Sequence, residues 1–320
     1  MPTFIGVQLK RPGLCEDRVV VASSLATCDS RRIAHSDAKA SRMEIPGAKT
    51  LRAIAGVIAL ALPACGCANV PLQQGEALSS YRNLQSADGK ITKSKIMIDP
   101  AALSAAKSIR IIPTTASAAT VATVGKPADL KLVSNAIDRA MCIALSDRFQ
   151  VVGDDQPADL TVRASIVDIY STDKVAAGVS TVTSLGTSVV GAGLPRLPIG
   201  LGGLDVEAEA VAPDGTQKAA MIWSRGADSF TTPARVSSVG DAYALAWTFG
   251  DDFGTMLSKG RSPFEGMGSL PSAQALWAKI GGENKYPACE HFGRAPGLID
   301  AIGSKFGVPP EWTDRQAGAS

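Results

Sequence analysis

Long apolar runs are absent from this sequence. Its most hydrophobic stretch, Ala53 to Leu62, has ten residues, about half of what a helix needs to span a bilayer. Histidine occurs only twice, at His35 and His291, so any Ser-His-Asp or Cys-His arrangement would depend on one of them. Neither sign of charge prevails: 32 Lys plus Arg face 30 Asp plus Glu, which gives no basis for a nucleic-acid-binding surface. None of the six cysteines has the spacing of a zinc site, and no cofactor-binding fingerprint is present. Aromatic residues make up only 5% of the chain, but apolar residues reach 45% over 320 positions. That is enough to build a sizeable core.

The small net charge conceals an asymmetry. Through Arg52 nine basic residues face five acidic ones, whereas from Cys65 onward the numbers are 23 and 25. Lys49 and Arg52 stand just ahead of the Ala53–Leu62 run, the arrangement of a secretory signal. Leu62-Pro63-Ala64-Cys65 then resembles the bacterial lipobox, in which the cysteine is acylated and becomes the new N-terminus. Pro63 departs from the preferred residue, and Cys67 is a second candidate. Gly66 after the cysteine, in place of Asp, resembles the pattern that releases lipoproteins to the outer membrane, facing the periplasm. Because such a signal sits at the N-terminus, the true start is expected at Met43. Residues 1–42, with Cys15 and Cys28, are then a misplaced start expected to be disordered. The signal peptide is 43–64.

Residues 65–92 read as a polar, lipidated tether. A domain follows over 93–261, and 262–320 reads as a loop-rich extension packing on it. Ile96–Ile98 and Ser108–Pro113 are expected as short strands. A helix is expected from an N-cap at Asp129 to about Phe149, burying Leu130, Val133, Ile137, Met141 and Leu145, with Asp138, Arg139, Asp147 and Arg148 off that stripe. Leu160–Tyr170 alternates as a half-buried strand, and Leu204–Ala210 with Gln217–Arg225 forms a hairpin about Pro213-Asp214-Gly215. Ser238–Lys259 is the last long helix. The fold class is α+β: a mainly antiparallel or mixed small sheet of about four to five strands, with two long helices packed on one face.

Val175–Pro195 carries no charge. Its many serines, threonines and glycines dilute its hydrophobicity, so it reads as a helix whose Val175, Val179, Val182, Leu185 and Val189 pack on the domain or on another protomer.

The segments GEALSSYRNL, MIDPAALSAAKSIRIIP, PADLTVRASIVDI, RLPIGLGGLDVEAEAVAPDGTQKAAMIWSRGA and VGDAYALAWTFGDDF, in this order, resemble a lipoprotein family of Gram-negative bacteria defined by domain of unknown function 3313. The resemblance covers roughly Gly75 to Lys259. It implies envelope localisation and an α/β fold, and it carries over no catalytic residues.

Candidate chemistry is sparse. Glu207 and Glu209 lie about 7 Å apart on one strand face, a spacing used by paired carboxylates, but Arg163 and Lys218 favour a solvated, ion-paired face. His291 reads as an exposed loop residue. Asp251 and Asp252 point in different directions, and Asp154-Asp155 sits in a turn. Gly191-Ala192-Gly193 and Gly200-Leu201-Gly202-Gly203 read as turns. Cys142 and Cys289 are a candidate disulfide fastening the tail, the alternative being two separate thiols. Trp277, Tyr286, Phe292 and Trp312 in the tail either pack on the domain or form a partner interface.

The expectation is a non-enzymatic binding or assembly module without cofactor or metal. Its partners are a membrane, reached through the lipid on Cys65 or Cys67, and envelope proteins or further copies of itself. Alternatives are an envelope hydrolase using His291 or the Glu207/Glu209 pair, and an oligomeric pore or secretion accessory using Val175–Pro195.

Overall fold

The computed structural model describes residues 68–188, 196–266 and 270–314. The expected misplaced start and signal peptide, Cys65, Cys67, His35 and the Gly191–Gly193 turn lie outside the described residues.

The fold is mixed α/β, built on one open sheet. Across it run β1 (Gln85–Ser86), β2 (Thr92–Ile98), β8 (Gln217–Gly226), β7 (Gly203–Val211), β6 (Leu160–Tyr170), β3 (Ser108–Ile111) and β5 (Gln150–Val151), in that order. An eighth strand, β4 (Thr115–Ala116), pairs with β6 on the edge that also carries β3. The pairings from β1 to β6 are antiparallel, while β3 is parallel to β5 and β6, and β4 to β6. The sheet therefore has eight strands in place of the expected four to five. The strands missed are two-residue pieces, too short to carry a readable alternation.

Two long helices is likewise too low a count. The described helices are α1 (Pro100–Ala105), α2 (Ala118–Val124), α3 (Pro127–Leu145), α4 (Lys174–Ser188), α5 (Gly240–Lys259), α6 (Ala273–Lys279), α7 (Gly297–Lys305) and α8 (Pro310–Thr313), with a 3-10 turn over Pro287–Phe292. α3 begins one turn earlier than Asp129 suggested: Pro127 occupies the first turn, where its missing N–H costs nothing. Asp129 is buried inside that turn and accepts from the Ser238 hydroxyl. Asp138 and Arg139, expected off the buried stripe, are also buried. α3 is covered by α5 on one flank and by the C-terminal segment on another, so its covered arc is wider than a single stripe. Gly250 and Gly254 on α5 face Ala140 and Ala144 on α3, and a Cβ at either glycine would collide with the opposite alanine. This lets the two helices approach closely over the sheet. Leu204, Val206, Ala208 and Ala210 of β7 join Trp223, Phe249 and Phe253 in the main core between helices and sheet.

The opposite face of the sheet is covered along β7 and β8. Leu72, Leu78, Tyr81 and Leu84 pack on Ala220, Ile222 and Met97 there. Residues 68–86, most of the segment expected as a tether, thus form a strap across the sheet that ends in β1. The apolar side chains spaced through this polar segment give it a surface to bury.

The C-terminal extension is pinned at several points. Cys142 on α3 and Cys289 in the 3-10 turn are joined by a disulfide, with their Cα atoms 5.9 Å apart. Asp314 pairs with buried Arg139 and accepts from the Tyr243 hydroxyl at 2.8 Å. Arg235 reaches Asp300 at 2.6 Å, and Lys279 reaches Asp251 at 2.6 Å.

Candidate functional site

β7 alternates as its sequence requires, one row of side chains toward the helices and Asp205, Glu207 and Glu209 toward the other face. The strap runs over that acidic row. Glu207 accepts the backbone N–H of Gly75 at 2.7 Å, that of Ala77 at 3.2 Å, and the Tyr81 hydroxyl at 2.6 Å. Glu209 accepts the Ser79 amide at 3.0 Å, the Ser79 hydroxyl at 2.6 Å and the Gln217 amide at 2.6 Å. Beside Asp205, Gln73 donates to the Tyr170 hydroxyl at 2.5 Å and to Asp168 at 3.3 Å. Successive strap residues thus meet successive acids along one strand.

The expected solvated face is therefore a correction: Glu207 and Glu209 are fully buried. Arg163 does pair with Glu209, at 2.6 Å from its Nε, but Lys218 turns to Asp99 at 3.7 Å. Both carboxylates are covered by the strap and accept its donors, with Gln217 and Arg163 completing the set at Glu209. Their acidity reflects this setting. Burial works to raise Glu209, yet the donors from Ser79, Gln217 and Arg163 together hold it below the usual carboxylate range. Burial and the Glu207 hydrogen bond push Tyr81 up to about 12. Asp205, buried with only partial compensation from Ser224 and with Asp168 nearby, is pushed up to about 7.

The other candidates do not converge. His291 is exposed in the 3-10 turn, its ring against Phe292. Asp251 holds Lys279, whereas Asp252 accepts the Trp223 indole N–H at 2.8 Å and is raised by burial to about 6. A cleft of about 310 Å³ between α2 and α3 is lined by Val121, Leu130, Lys126, Lys131 and threonine hydroxyls, and no carboxylate, histidine or cysteine lines it. No group of three or more His, Cys, Asp or Glu among the described residues is placed to hold a metal ion.

The tail aromatics divide. Phe292 is buried and Tyr286 packs on the main core, while Trp277 and Trp312 are exposed. Sequence reasoning missed a larger feature beside them. α7 buries Gly303 and Ser304 and turns Leu298, Ile299 and Ile302 outward, each 59–65% exposed, with Phe306 following on. α4 is inverted in the same way: Ala177, Ser180 and Thr181 are buried, and Val175, Val179 and Val182 face out. Of the two packings expected for those valines, on the domain or on another protomer, this overturns the first. Their regular spacing was legible, but which side of it met the domain was not. Among the described residues no helix is long and apolar enough to cross a membrane.

The family model for a protein of unknown function, DUF3313, matches residues 73–253, which includes most of the strap, the whole of β7 and most of α5. No curated protein matches the chain. Two solved structures of the PelC dodecamer from Paraburkholderia phytofirmans are similar at 9% and 8% identity, each with a TM-score of 0.31, covering 54% of this chain and 100% of theirs.

Proposed function

The chain belongs to the DUF3313 family, and from that premise we propose that it is a cell-envelope lipoprotein, acylated on Cys65 or Cys67, that serves as a non-enzymatic binding or assembly module on the periplasmic side of the outer membrane. The observation that carries the binding role is the inverted C-terminal extension. It is held to the domain by a disulfide and by ion pairs from Arg139, Arg235 and Lys279. Leu298, Ile299, Ile302, Phe306 and Trp312 face outward from it. A segment pinned by its polar contacts while displaying an apolar face suits docking, because contiguous exposed apolar surface is uncommon on proteins that act alone. The Cys142–Cys289 bond suits an oxidising compartment such as the periplasm.

Of the two groups on which the hydrolase alternative rests, Glu207 and Glu209 are covered by the strap, and His291 is exposed with its ring against Phe292. The binding role is tested by chemical crosslinking of the membrane-extracted protein, wild type against Ile302→Asp and Phe306→Asp. The reading requires a discrete complex, with itself or an envelope protein, that both substitutions abolish while the domain stays folded. A wild-type protein that forms none, or a complex indifferent to both changes, rules it out. Intact mass of the same material reports the acylation.

A further inference from the structure

The strap changes where the lipid anchor places the domain. Cys65 precedes Ala68 by three residues and Cys67 by one, so even fully extended chain puts the acylated residue within about 11 Å of Ala68. From Ala68 onward the chain is fixed. Its amide donates to the Ala227 carbonyl at 3.0 Å, and it crosses so close to Gly226 that a Cβ there would strike it. Val70 lies equally close over Gly203, and the acids of β7 hold the strap beyond. No slack remains for the domain to stand off its membrane.

The same end of the sheet gathers exposed apolar side chains. Phe230, three residues beyond Ala227, is 79% exposed, and Ile199 is 53% exposed. Three backbone hydrogen bonds tie this end together: Ala227 to the Gly202 carbonyl at 2.8 Å, Arg196 to the Ser229 carbonyl at 2.9 Å, and Asp173 to the Gly200 carbonyl at 2.9 Å. The last of these brings in the start of α4, where Val175 is 76% exposed on the same helical side as Val179 and Val182. Besides Lys93, which is exposed and reaches Asn69 at 3.2 Å, and Arg225 and Asp228, which pair at 3.3 Å beside Phe230, charge is scarce here. Arg196 is buried against Asp241, and the chain from Val175 to Pro195 carries none. Asp173 and Lys174 stand beside the patch as a polar rim.

We propose that this end is a membrane-seating surface, with Phe230, Ile199 and the outward valines of α4 resting in the interfacial layer of the bilayer that holds the acyl chains. The proposal rests on the lipoprotein reading. An acyl chain and an apolar protein surface entering the same bilayer reinforce each other, and an aromatic ring is well suited to the headgroup boundary. The occupant is a lipid surface because the short chain between anchor and fold keeps the bilayer close to this end of the sheet.

The test uses the native, full-length protein extracted from membranes and reconstituted into phosphatidylethanolamine–phosphatidylglycerol vesicles containing a lipid with a diazirine in its acyl chain. After irradiation, adducts are mapped by mass spectrometry, and the intact mass of the same sample is recorded. The expected result is an acylated protein with adducts on Phe230, Ile199 and residues 175–182, at least tenfold above the 213–215 turn at the far end of the β7–β8 hairpin. Phe230→Glu should lower the adducts on residues 175–182 several-fold while the acyl mass is unchanged. Acyl mass present, with adducts absent from this patch or concentrated on α7, overturns the seating and leaves the lipoprotein reading standing. Absence of acyl mass removes the lipoprotein reading, and this proposal with it.

Discussion

The Gly75 amide donates to the Glu207 carboxylate at 2.7 Å across 132 positions of sequence, and that contact closes a strap over the outer face of the sheet. Replacing Glu207 by Ala would leave the Gly75 and Ala77 amides and the Tyr81 hydroxyl without this acceptor. At roughly 1–3 kcal/mol for each buried unsatisfied group, Glu207→Ala should destabilise the fold by about 3 kcal/mol or more, read as a lower urea midpoint. Glu207→Gln should cost less, because one acceptor oxygen remains. Hydrogen exchange should locate the loss in the strap, with the amides of residues 75–79 exchanging faster. A midpoint unchanged by Glu207→Ala would mean that apolar packing alone holds the strap.

Asp314 closes the opposite end of the chain. Its partner Arg139 is buried on α3, and Tyr243 donates to the same carboxylate. Removing one partner of a buried pair leaves a charge without its counterion, at about 3–5 kcal/mol. Asp314→Ala should therefore be among the most damaging single changes outside the apolar core, despite lying near the C-terminus. Thermal unfolding measures it, and a loss below about 1 kcal/mol would show that the pair behaves as a solvated one.

The Cys142–Cys289 disulfide spans 147 positions. Chain entropy assigns a loop of that size a stabilisation of about 4–5 kcal/mol. Reduction, or Cys289→Ser, should lower the denaturant midpoint accordingly, and reduction should have no effect on the Cys289→Ser variant. Equal midpoints with and without reductant in the wild type would contradict this.

Asp138 supplies a pH dependence. Burial raises it to about 7, against the smaller opposing effect of the Thr114 hydroxyl and amide. Below about pH 4 the carboxyl is protonated whether the chain is folded or not. As pH rises from there, the unfolded chain ionises while the folded one keeps its proton, so the folded state loses ground until about pH 7. Asp205 and Asp252, also raised by burial, act with the same sign. Asp138→Asn keeps an acceptor for Thr114 without the titration, so its melting temperature should gain on wild type between pH 4 and 7.5. Parallel curves for the two proteins would place the titration elsewhere.

Much of the secondary structure was legible locally. The alternation of β6 and β7, the turn at residues 213–215, and the apolar spacing of α3 and α5 follow from periods of 2 and 3.6 that each segment carries by itself. A clue to the covered outer face was also present. β8 reads Ala219-Ala220-Met221-Ile222-Trp223, apolar at consecutive positions and hence on both sides of the strand. Combined with Leu72, Leu78 and Tyr81 upstream, it pointed to something lying over Glu207 and Glu209. The Gly250 and Gly254 pair on α5, four positions apart, likewise signalled a close helix contact.

The sequence by itself determined the long strands β6 and β7, with the apolar side of each, and the long helices α3 and α5, because these depend on neighbours within a turn or a few residues. Only the tertiary structure decided what covers each face. Glu207 is buried by residues 75–81, Arg139 is neutralised by Asp314, and the valines of α4 face outward because a row of small and hydroxyl side chains fits the domain more closely. Such environments are set by groups more than a hundred residues away or by competition for contact area, and neither leaves a periodic trace in the chain.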